Sequence, residues 1–574
     1  MILQALCKYY QRKADLGEIA PFGFEYKEIP FIIVIDKAGD FVRIEDTREG
    51  EGKKKKGKVF LVPIAVKRTR GIKANLLWDT AEYIFGIGNK NDAAEKKSAF
   101  LNKISESFPN KNEDTDILIK FLENTPLEKI ETKILPESDI QKIWNEEILQ
   151  TNPNLSFKID GDEKILPDKL AKEIEKLYSN TDTVSENTEN SVCLITGEQC
   201  IPLKIHSSIK NVAGAQSAGA ALISFNKKAF ESYGKEQNLN APVSEKAAFE
   251  YTTALNTLLK SSTNKIGIAE TTTVFWAEEK NQFENDFAAF FGYTKDDPDR
   301  DAKAVKNLFS GVYTGRNPEQ MDTSFYVLGL SPNSARISIR FWLQGKISDF
   351  AKNLKQHFED LNITRSENDK GHDSLFWILS ALSQEDKISN MPPNIAGSIV
   401  QAVLTGKPYP STMLGQALRR IRATHKVNRI RAAVLKAYLN RFNRFYKKSE
   451  KQIDMALDKE NSNIGYCLGR LFATLEKIQE DANPGLNATI KDRFYGAASA
   501  TPVTVFSQLL KLKNYHLAKI DNQGMKIKRE QLLGEIFTKI PPSMPPHLTM
   551  EEQASFAIGY YHQRQDFFTK KTDN

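Results

Sequence analysis

The chain has 574 residues, of which 40% are hydrophobic and 27% are charged, and its formal net charge is +7. This length exceeds what one hydrophobic core usually supports, so we expect about three or four domains. The sequence contains no apolar run of roughly eighteen residues, the length needed to span a membrane, so we expect no membrane-spanning segment. The N-terminal stretch is too short and too charged for a secretory signal, and four cysteines are too few for a disulfide framework, which favours a soluble protein of the cytoplasm.

The N-terminal residues predict a mixed α/β region. Residues 1–13 place apolar side chains at helical spacing. Residues 31–35 and 41–44 predict two strands joined by a turn. A further strand is predicted over residues 59–62, and a helix over residues 76–85.

Two basic clusters flank the strand at residues 59–62. The first is a run of lysines that more often serves solubility than binding. The second, here called the basic loop (residues 67–75), places arginines, a glycine and an asparagine between ordered elements, which favours a functional role. Its candidate DNA-binding residues are Lys67, Arg68, Arg70, Lys73 and Asn75.

Residues 179–191 contain almost no apolar side chain, which predicts a flexible connection. Beyond it, β-branched and aromatic residues predict strands at residues 265–276, 325–330 and 335–342. An apolar helix is predicted at residues 283–291.

The centre of the chain contains a run of small residues, here called the Gly/Gln loop (residues 212–226). Glycine carries no Cβ and adopts positive φ, so such a backbone can approach a ligand closely. A helix predicted after the loop would support it. The candidate DNA-binding residues here are Lys210, Gly214, Gln216, Gly219 and Asn226.

Residues 413–448 contain no Asp or Glu, and the spacing of the residues between Lys426 and Lys447 predicts a helix that is basic on one side and apolar on the other. Without compensating acids such a helix favours phosphate contact, and the alternative is a surface helix paired with an acidic neighbour. The basic arc comprises Lys426, Arg429, Lys436, Arg444 and Lys447, and the candidate DNA-binding residues of the segment are Arg419, Arg422, Lys426 and Arg429.

The C-terminal residues predict helices that would close a small bundle. Residues 464–478 follow the helical period, and residues 483–485 end that helix. Thr549 and Glu552 predict a capping box that opens the last helix. The predicted class is therefore α+β, with a mixed α/β N-terminal body followed by an all-α C-terminal helical bundle.

Signatures of enzymes are missing: no phosphate-binding loop, nucleophile elbow or zinc-protease motif occurs. Adjacent His372 and Asp373 lack a second histidine at metal spacing. Cys193, Cys200 and His206 lack the paired knuckles of a structural zinc site, so packing cysteines are the preferred interpretation. We expect a binding protein with no catalytic residues, no metal and no cofactor.

Four blocks resemble the large subunit of the type I-C CRISPR Cascade complex: MILQALCKYY, PFGFEYKEIPFIIVID, FLVPIAVKRTRGIKANLLWDTAEYIFGI and the long central block that begins HSSIKNVAGAQSAGAALISFN. The resemblance runs through most of the chain. It implies a non-catalytic subunit that recognises the protospacer-adjacent motif in double-stranded DNA, aids duplex opening and presents the DNA to a helicase-nuclease. By motif, Gly214, Gln216 and Gly219 would form the loop and wedge, and Lys73 with Asn75 would read base edges.

The resemblance also implies partners. These are the double-stranded target DNA, the guide RNA, the handle-binding and backbone subunits, the small subunit and the helicase-nuclease effector. In this subtype the small subunit is often produced from an internal start, which makes Met455 the candidate start of a product covering residues 455–574.

Four regions are therefore expected: residues 1–190 with the basic loops, 191–345 with the Gly/Gln loop, 346–454 with the basic helix, and 455–574 as a bundle resembling the small subunit. Two other functions stay open. One is a scaffold that holds guide RNA without reading a motif, and the other is a metal-dependent nuclease that uses His372 and Asp373.

Overall fold

The structure is a computed structural model that describes residues 1–50, 55–66, 68, 71–87, 92–109, 112–134, 138–179, 191–268, 270–291, 321–365, 374–448 and 452–568. Its contacts divide the chain into two compact units. The N-terminal unit comprises Leu6–Ser207 and Ser224–Ala254, and the C-terminal unit comprises Met1–Ala5, Ser208–Ile223 and Leu255–Asn574. The finer division into four regions stays a prediction.

The N-terminal unit is built on a four-stranded mixed sheet with the strand order β3-β2-β6-β5. Strand β2 has all five side chains buried and pairs in parallel with β6, as expected for a central strand covered on both faces. The other pairs of this sheet are antiparallel, and β1 with β4 and β7 with β8 form two small ribbons. The strands are β1 (Phe24–Glu28), β2 (Phe31–Ile35), β3 (Phe41–Asp46), β4 (Val59–Pro63), β5 (Trp78–Thr80), β6 (Asn154–Ile159), β7 (Ser191–Val192) and β8 (Gln199–Cys200).

Helices pack on this sheet and enclose one apolar core, in which the Phe157 ring contacts the rings of Phe100 and Phe121. A π-helical turn, Ile143–Ile148, separates α6 from α7. The helices are α1 (Ile2–Asp15), α2 (Ala81–Phe85), α3 (Ala93–Ser107), α4 (Glu113–Asn124), α5 (Leu127–Lys133), α6 (Asp139–Lys142), α7 (Leu149–Thr151), α8 (Leu166–Lys169), α9 (Ala171–Ser179) and α10 (Glu245–Lys260). Two of them are divided between the units, since α1 up to Ala5 and α10 from Leu255 onward belong to the C-terminal unit.

The C-terminal unit combines a four-stranded antiparallel sheet, in the order β12-β11-β10-β9, with a large helical region. All seven side chains of β10 are buried. The strands are β9 (Lys265–Ile268), β10 (Thr271–Ala277), β11 (Ser324–Asn333) and β12 (Arg336–Lys346). The helices are α11 (Phe283–Phe291), α12 (Ile347–Leu361), α13 (Leu375–Leu382), α14 (Pro393–Thr405), α15 (Ser411–Thr424), α16 (Arg429–Phe445), α17 (Ile464–Ala482), α18 (Ile490–Ala500), α19 (Pro502–Ala518), α20 (Gln523–Phe537) and α21 (Met550–Phe568).

Helices α17 and α21 approach each other closely because glycines line their contact. A Cβ on Gly469 would lie 2.0 Å from the Phe556 carbonyl oxygen, and one on Gly559 would lie 2.2 Å from the Tyr466 carbonyl oxygen. Glycine therefore sets the spacing of the two helices. The predicted capping box is confirmed, since the Thr549 amide donates to the Glu552 carboxylate and the Glu552 amide donates to Thr549 Oγ1.

The predicted class, α+β with a C-terminal helical bundle, is confirmed. The helix predicted over residues 76–85 is wrong in its first half, because Trp78–Thr80 pair with β6 and Leu77 takes a φ of 61°. Pairing at the edge of the sheet overrides the local helical pattern there. In the part of the chain that the structure describes, no helix has the length and apolar character needed to cross a membrane.

Candidate nucleic-acid interface

One buried carboxylate, that of Asp79 on β5, organises the basic loop. It accepts a hydrogen bond from the Arg68 guanidinium and another, 2.8 Å long, from the backbone N–H of Asn75. Arg68 also donates from Nε to the Lys73 carbonyl at 2.8 Å, and its guanidinium lies 3.9 Å from the centre of the Tyr83 ring. Burial raises the pKa of the Asp79 carboxyl despite these donors, so the loop depends on an ion pair in a dry site.

These contacts change the roles expected in the basic loop. Asn75 is buried, and its Oδ1 accepts a 3.0 Å hydrogen bond from the Val66 amide. Its contacts describe a residue that holds the loop, not one that presents its amide to base edges. Lys73 is exposed, whereas Lys67 and Arg70 lie outside the described residues.

An isolated antiparallel bridge closes the base of the Gly/Gln loop. Ile209 and Ala220 exchange two backbone hydrogen bonds, each 2.9 Å long. The next residue, Ala221, forms a parallel bridge to Arg336 of β12. The loop is therefore attached to the edge strand of the four-stranded antiparallel sheet, which gives it a rigid support.

The two glycines of the loop are required by its own backbone. Gly214 and Gly219 have φ values of 76° and 94°, which other residues adopt at a cost. A Cβ on Gly219 would lie 2.8 Å from Ser208 Cβ and 2.9 Å from the Ile209 carbonyl oxygen. The sequence predicted that these glycines let the backbone approach a ligand closely. At Gly219 the close neighbours are instead Ser208 and Ile209 of the same chain.

Gln216 lies exposed at the tip of this loop. Its carbonyl accepts a 2.9 Å hydrogen bond from the Gly219 amide and closes the turn. On the other side of the tip, the Ala213 amide donates to Thr272 Oγ1 at 3.0 Å. The backbone on both sides of Gln216 is fixed, while its side-chain amide is presented to solvent.

A residue that the sequence did not indicate holds the stem of the loop. Asn256 on α10 accepts from the Lys210 amide at 2.7 Å and donates to the Ser208 carbonyl at 3.2 Å. The Lys210 side chain itself is exposed. A helical asparagine 46 residues away from its partner has no local signature, so sequence reasoning could not have found it.

The candidate residues do not all fall in one unit. Lys210, Gly214, Gln216 and Gly219 belong to the C-terminal unit. Asn226, at the end of the Gly/Gln loop, is exposed and belongs to the N-terminal unit.

The helix predicted between Lys426 and Lys447 is confirmed as α16, and a separate helix, α15, precedes it within the basic segment. Helix α15 ends at Thr424, His425 takes a φ of 52°, and α16 begins at Arg429. Asn428 caps the second helix by accepting from the Arg431 amide at 2.9 Å. The left-handed residue ends α15, and the asparagine cap begins α16.

The predicted cationic arc is wrong, because the fold buries part of it and places the Asp360 carboxylate against it as a counter-charge. Lys436 is 3% exposed and donates from Nζ to the Asp360 carbonyl at 3.0 Å. Arg444 Nη2 and Arg441 Nε lie 2.8 and 3.2 Å from Asp360 Oδ2. Burial lowers the pKa of the Lys436 ammonium. These cations stabilise the fold.

Cations that remain at the surface lie at both ends of α16, around its junction with α15 and at Lys447 and Lys448 after its last residue. Arg419, Arg422 and Lys426 are exposed, and Arg429 is half-buried. The Arg422 guanidinium donates to the side-chain oxygen of Gln553. The candidate residues Arg419, Arg422, Lys426 and Arg429 therefore lie around the junction, whereas the exposed Lys447 lies at the opposite end of α16.

Within the described residues, no three His, Cys, Asp or Glu side chains are grouped so that they would hold a metal ion. The buried Cys193 Sγ accepts from the Ser244 amide at 3.5 Å, and His206 Nδ1 lies 2.7 Å from Tyr251 Oη. Cys200 is a free, buried thiol. The contacts of Cys193 and His206 are those of packing residues.

The fold defines an α+β protein. Its C-terminal unit carries most of the Gly/Gln loop, with an exposed glutamine, and the basic junction between α15 and α16. Residues 6–568 match the model of the family described as CRISPR-associated protein (Cas_Csd1). Because the match covers nearly the whole chain, the chain belongs to this family, which supports the general role of a large subunit in a CRISPR Cascade complex. No curated protein matches the chain.

Proposed function

We propose that the chain is the non-catalytic large subunit of a type I-C Cascade complex. In this role it recognises the protospacer-adjacent motif in double-stranded DNA, aids duplex opening and R-loop formation, and helps recruit the helicase-nuclease. The observation that carries the proposal is the Gly/Gln loop, whose fixed backbone presents the exposed Gln216. Guide pairing would read the target, so the protein needs to read only a short motif and the duplex shape.

The chemistry of the loop suits a wedge. A glutamine amide both donates and accepts, so it can replace hydrogen bonds of a base pair that separates. The two bridges at the base and the bonds from Asn256 hold the stem before DNA arrives, which limits the ordering cost on binding. The exposed Lys210 at the stem adds a cation for the phosphate backbone.

The proposal is tested with the assembled complex, titrated with motif-bearing and motif-scrambled duplexes. The wild-type chain should prefer the motif-bearing duplex, and Gln216→Ala should reduce that preference. Gln531→Ala is the matched control, because Gln531 is exposed on α20 and lies outside the loop. Equal affinities of the wild-type complex for both duplexes would leave the guide-RNA scaffold as the remaining function.

Strand opening is measured separately from affinity. A fluorescent base analogue placed beside the motif reports unstacking as the duplex parts. Gln216→Ala should slow this signal at saturating duplex, whereas Gln531→Ala should not. An unchanged opening rate in Gln216→Ala would remove the wedge role from this residue.

The non-catalytic assignment is tested against the nuclease alternative. His372 and Asp373, on which that alternative depends, lie outside the described residues. Purified protein is incubated with plasmid and divalent metal, and the products are separated by electrophoresis. Retention of the plasmid without cleavage is expected, and cleavage that His372→Ala abolishes would establish the nuclease.

The proposal extends to an embedded small subunit covering residues 455–574. Met455 lies between α16 and α17, and its carbonyl accepts from the Thr364 amide at 2.8 Å and from Thr364 Oγ1 at 3.0 Å. Both bonds use the Met455 backbone, so Met455→Ala retains them. A C-terminal tag should reveal a short product that Met455→Ala removes, and the absence of a short product from both chains would discard this extension.

A further inference from the structure

A short turn at the surface of the N-terminal unit, here called the Tyr233 turn (residues 231–240), holds an aromatic ring in solvent. Tyr233 is 100% exposed and has a φ of 54°, and Gly234 follows with a φ of 70°. Ser232 and Lys235 form an antiparallel bridge across them, with a 3.0 Å hydrogen bond from the Lys235 amide to the Ser232 carbonyl. Two central residues with positive φ define a type I′ geometry, which a bulky residue adopts unfavourably.

One side chain holds this turn in place. Asn240 Oδ1 accepts from the Ser232 amide at 3.0 Å, and Asn240 Nδ2 donates to the carbonyls of Lys235 and Gln237, both at 2.8 Å. A non-glycine residue stays in a left-handed conformation only when its surroundings enforce it, and such positions concentrate at functional sites. The turn is thus a built element that displays Tyr233.

The surface around Tyr233 is polar and carries cations. Lys227, Lys228 and Lys235 are exposed, and none of them forms an ion pair with an acid in the described part of the chain. Phe230, 40% exposed, supplies a second partly open ring. A protein-binding hot spot would place its aromatic residue within a desolvated apolar patch, whereas single-stranded nucleic acid needs an open ring for stacking and cations for phosphates.

We infer that the Tyr233 turn is a stacking site for single-stranded nucleic acid. The Tyr233 ring stacks on one base, and Lys227, Lys228 and Lys235 contact the flanking phosphates. The site goes beyond motif recognition, because stacking on an open base requires a strand that is not paired. Single-stranded DNA and RNA both offer this chemistry.

The test uses the full-length chain and labelled oligonucleotides about 16 nucleotides long, as polydeoxythymidine, polyuridine and a motif-free duplex. Tyr233→Ala should weaken binding of a single strand about tenfold and leave duplex binding unchanged, because a stacked base is lost. Tyr233→Phe retains the ring and should bind within about twofold of wild type. Glu236→Gln, which removes an exposed acid within the turn, should strengthen binding of the single strand.

The DNA and RNA arms identify the strand. The proposed site is overturned if Tyr233→Ala binds both single strands as wild type does. It is likewise overturned if Tyr233→Ala weakens the binding of single strand and of duplex equally. It is also overturned if single-strand affinity is unchanged and assembly of the complex fails, since the turn would then contact a protein. Gln216→Ala, measured in parallel, should retain single-strand affinity, so failure of the motif proposal is distinguishable from failure of this one.

Discussion

Asp360 and Arg441 form an ion pair inside the C-terminal unit, with Oδ2 and Nε 3.2 Å apart and side-chain exposures of 1% and 2%. Arg444 shares the same carboxylate, and Lys436 donates to the Asp360 carbonyl. Arg441 also donates to the Ala402 carbonyl at 3.0 Å. One acid on α12 therefore compensates cations from α16, which lies in a segment that has no acid of its own.

Replacing this acid should destabilise the unit strongly. Asp360→Asn leaves the Arg441 guanidinium buried without its counter-charge, and breaking a buried pair in this way costs about 3 to 5 kcal/mol. The free energy of unfolding is measured by urea denaturation followed by circular dichroism. Glu359→Gln, at the neighbouring and half-exposed residue, is the control and should change stability by less than about 1 kcal/mol. Equal effects of the two substitutions would contradict this role of Asp360.

The contact between α17 and α21 makes a second stability prediction. Gly469→Ala places a methyl group 2.0 Å from the Phe556 carbonyl oxygen, so the helices must move apart, at a cost of about 1 to 3 kcal/mol or more. Gly496→Ala in α18 meets nothing within 4 Å and should stabilise by about 0.5 to 1 kcal/mol. Opposite shifts of the melting temperature are expected, and a loss of stability in both variants would contradict the account.

Acid should weaken the same helix contact through His562 on α21. Its Nδ1 lies 2.9 Å from Tyr466 Oη. Because Tyr466 Oη accepts a hydrogen bond from the backbone N–H of Asp458, its own hydrogen is placed to be donated to the histidine ring. Burial lowers the pKa of His562 to about 4. The unfolded chain has the usual histidine pKa of about 6.5, so it binds more protons between these values.

The free energy of unfolding therefore decreases as the pH falls. Stability is present above about pH 6.5 and falls as the pH drops toward 4, with a loss of about 2 kcal/mol between pH 7 and pH 5. Because His562→Gln cannot be protonated, it should show a shallower fall in the free energy of unfolding over that range. His547→Gln, at an exposed histidine, is the control and should retain the wild-type slope. Parallel slopes for His562→Gln and wild type would contradict the prediction.

The sequence predicted elements better than it predicted contacts. Strands β2 and β3, helix α17 and the Thr549 capping box follow from local patterns and are confirmed. The basic arc failed because helical periodicity shows which residues share a face but not what packs on it. Asp360 lies more than sixty residues before the cations that it compensates, and Asn256 is similarly remote from the loop it holds.

Asn256 provides a test of the loop stem, which rests on the proposed motif recognition. Asn256→Ala removes the hydrogen bonds to Lys210 and Ser208, so the stem should loosen and the preference for motif-bearing duplex should fall. Asn256→Asp still accepts from the Lys210 amide but cannot donate to Ser208, so its preference should be intermediate. Titration with both duplexes measures the ratio of affinities. An unchanged ratio in Asn256→Ala would contradict the positioning role.

The surface cations at the junction of α15 and α16 should act on all duplexes alike. Lys426 is exposed, so Lys426→Met should weaken motif-bearing and scrambled duplexes equally and lower the slope of log affinity against log salt by about one. Lys436→Met removes the same charge from a buried site, so it should lower the free energy of unfolding and leave the salt slope unchanged. Binding at several salt concentrations, with a melting curve for each variant, separates the two effects. A reduced slope in Lys436→Met without loss of stability would return that lysine to the DNA-binding surface, since only a cation that reaches solvent can release counterions from DNA.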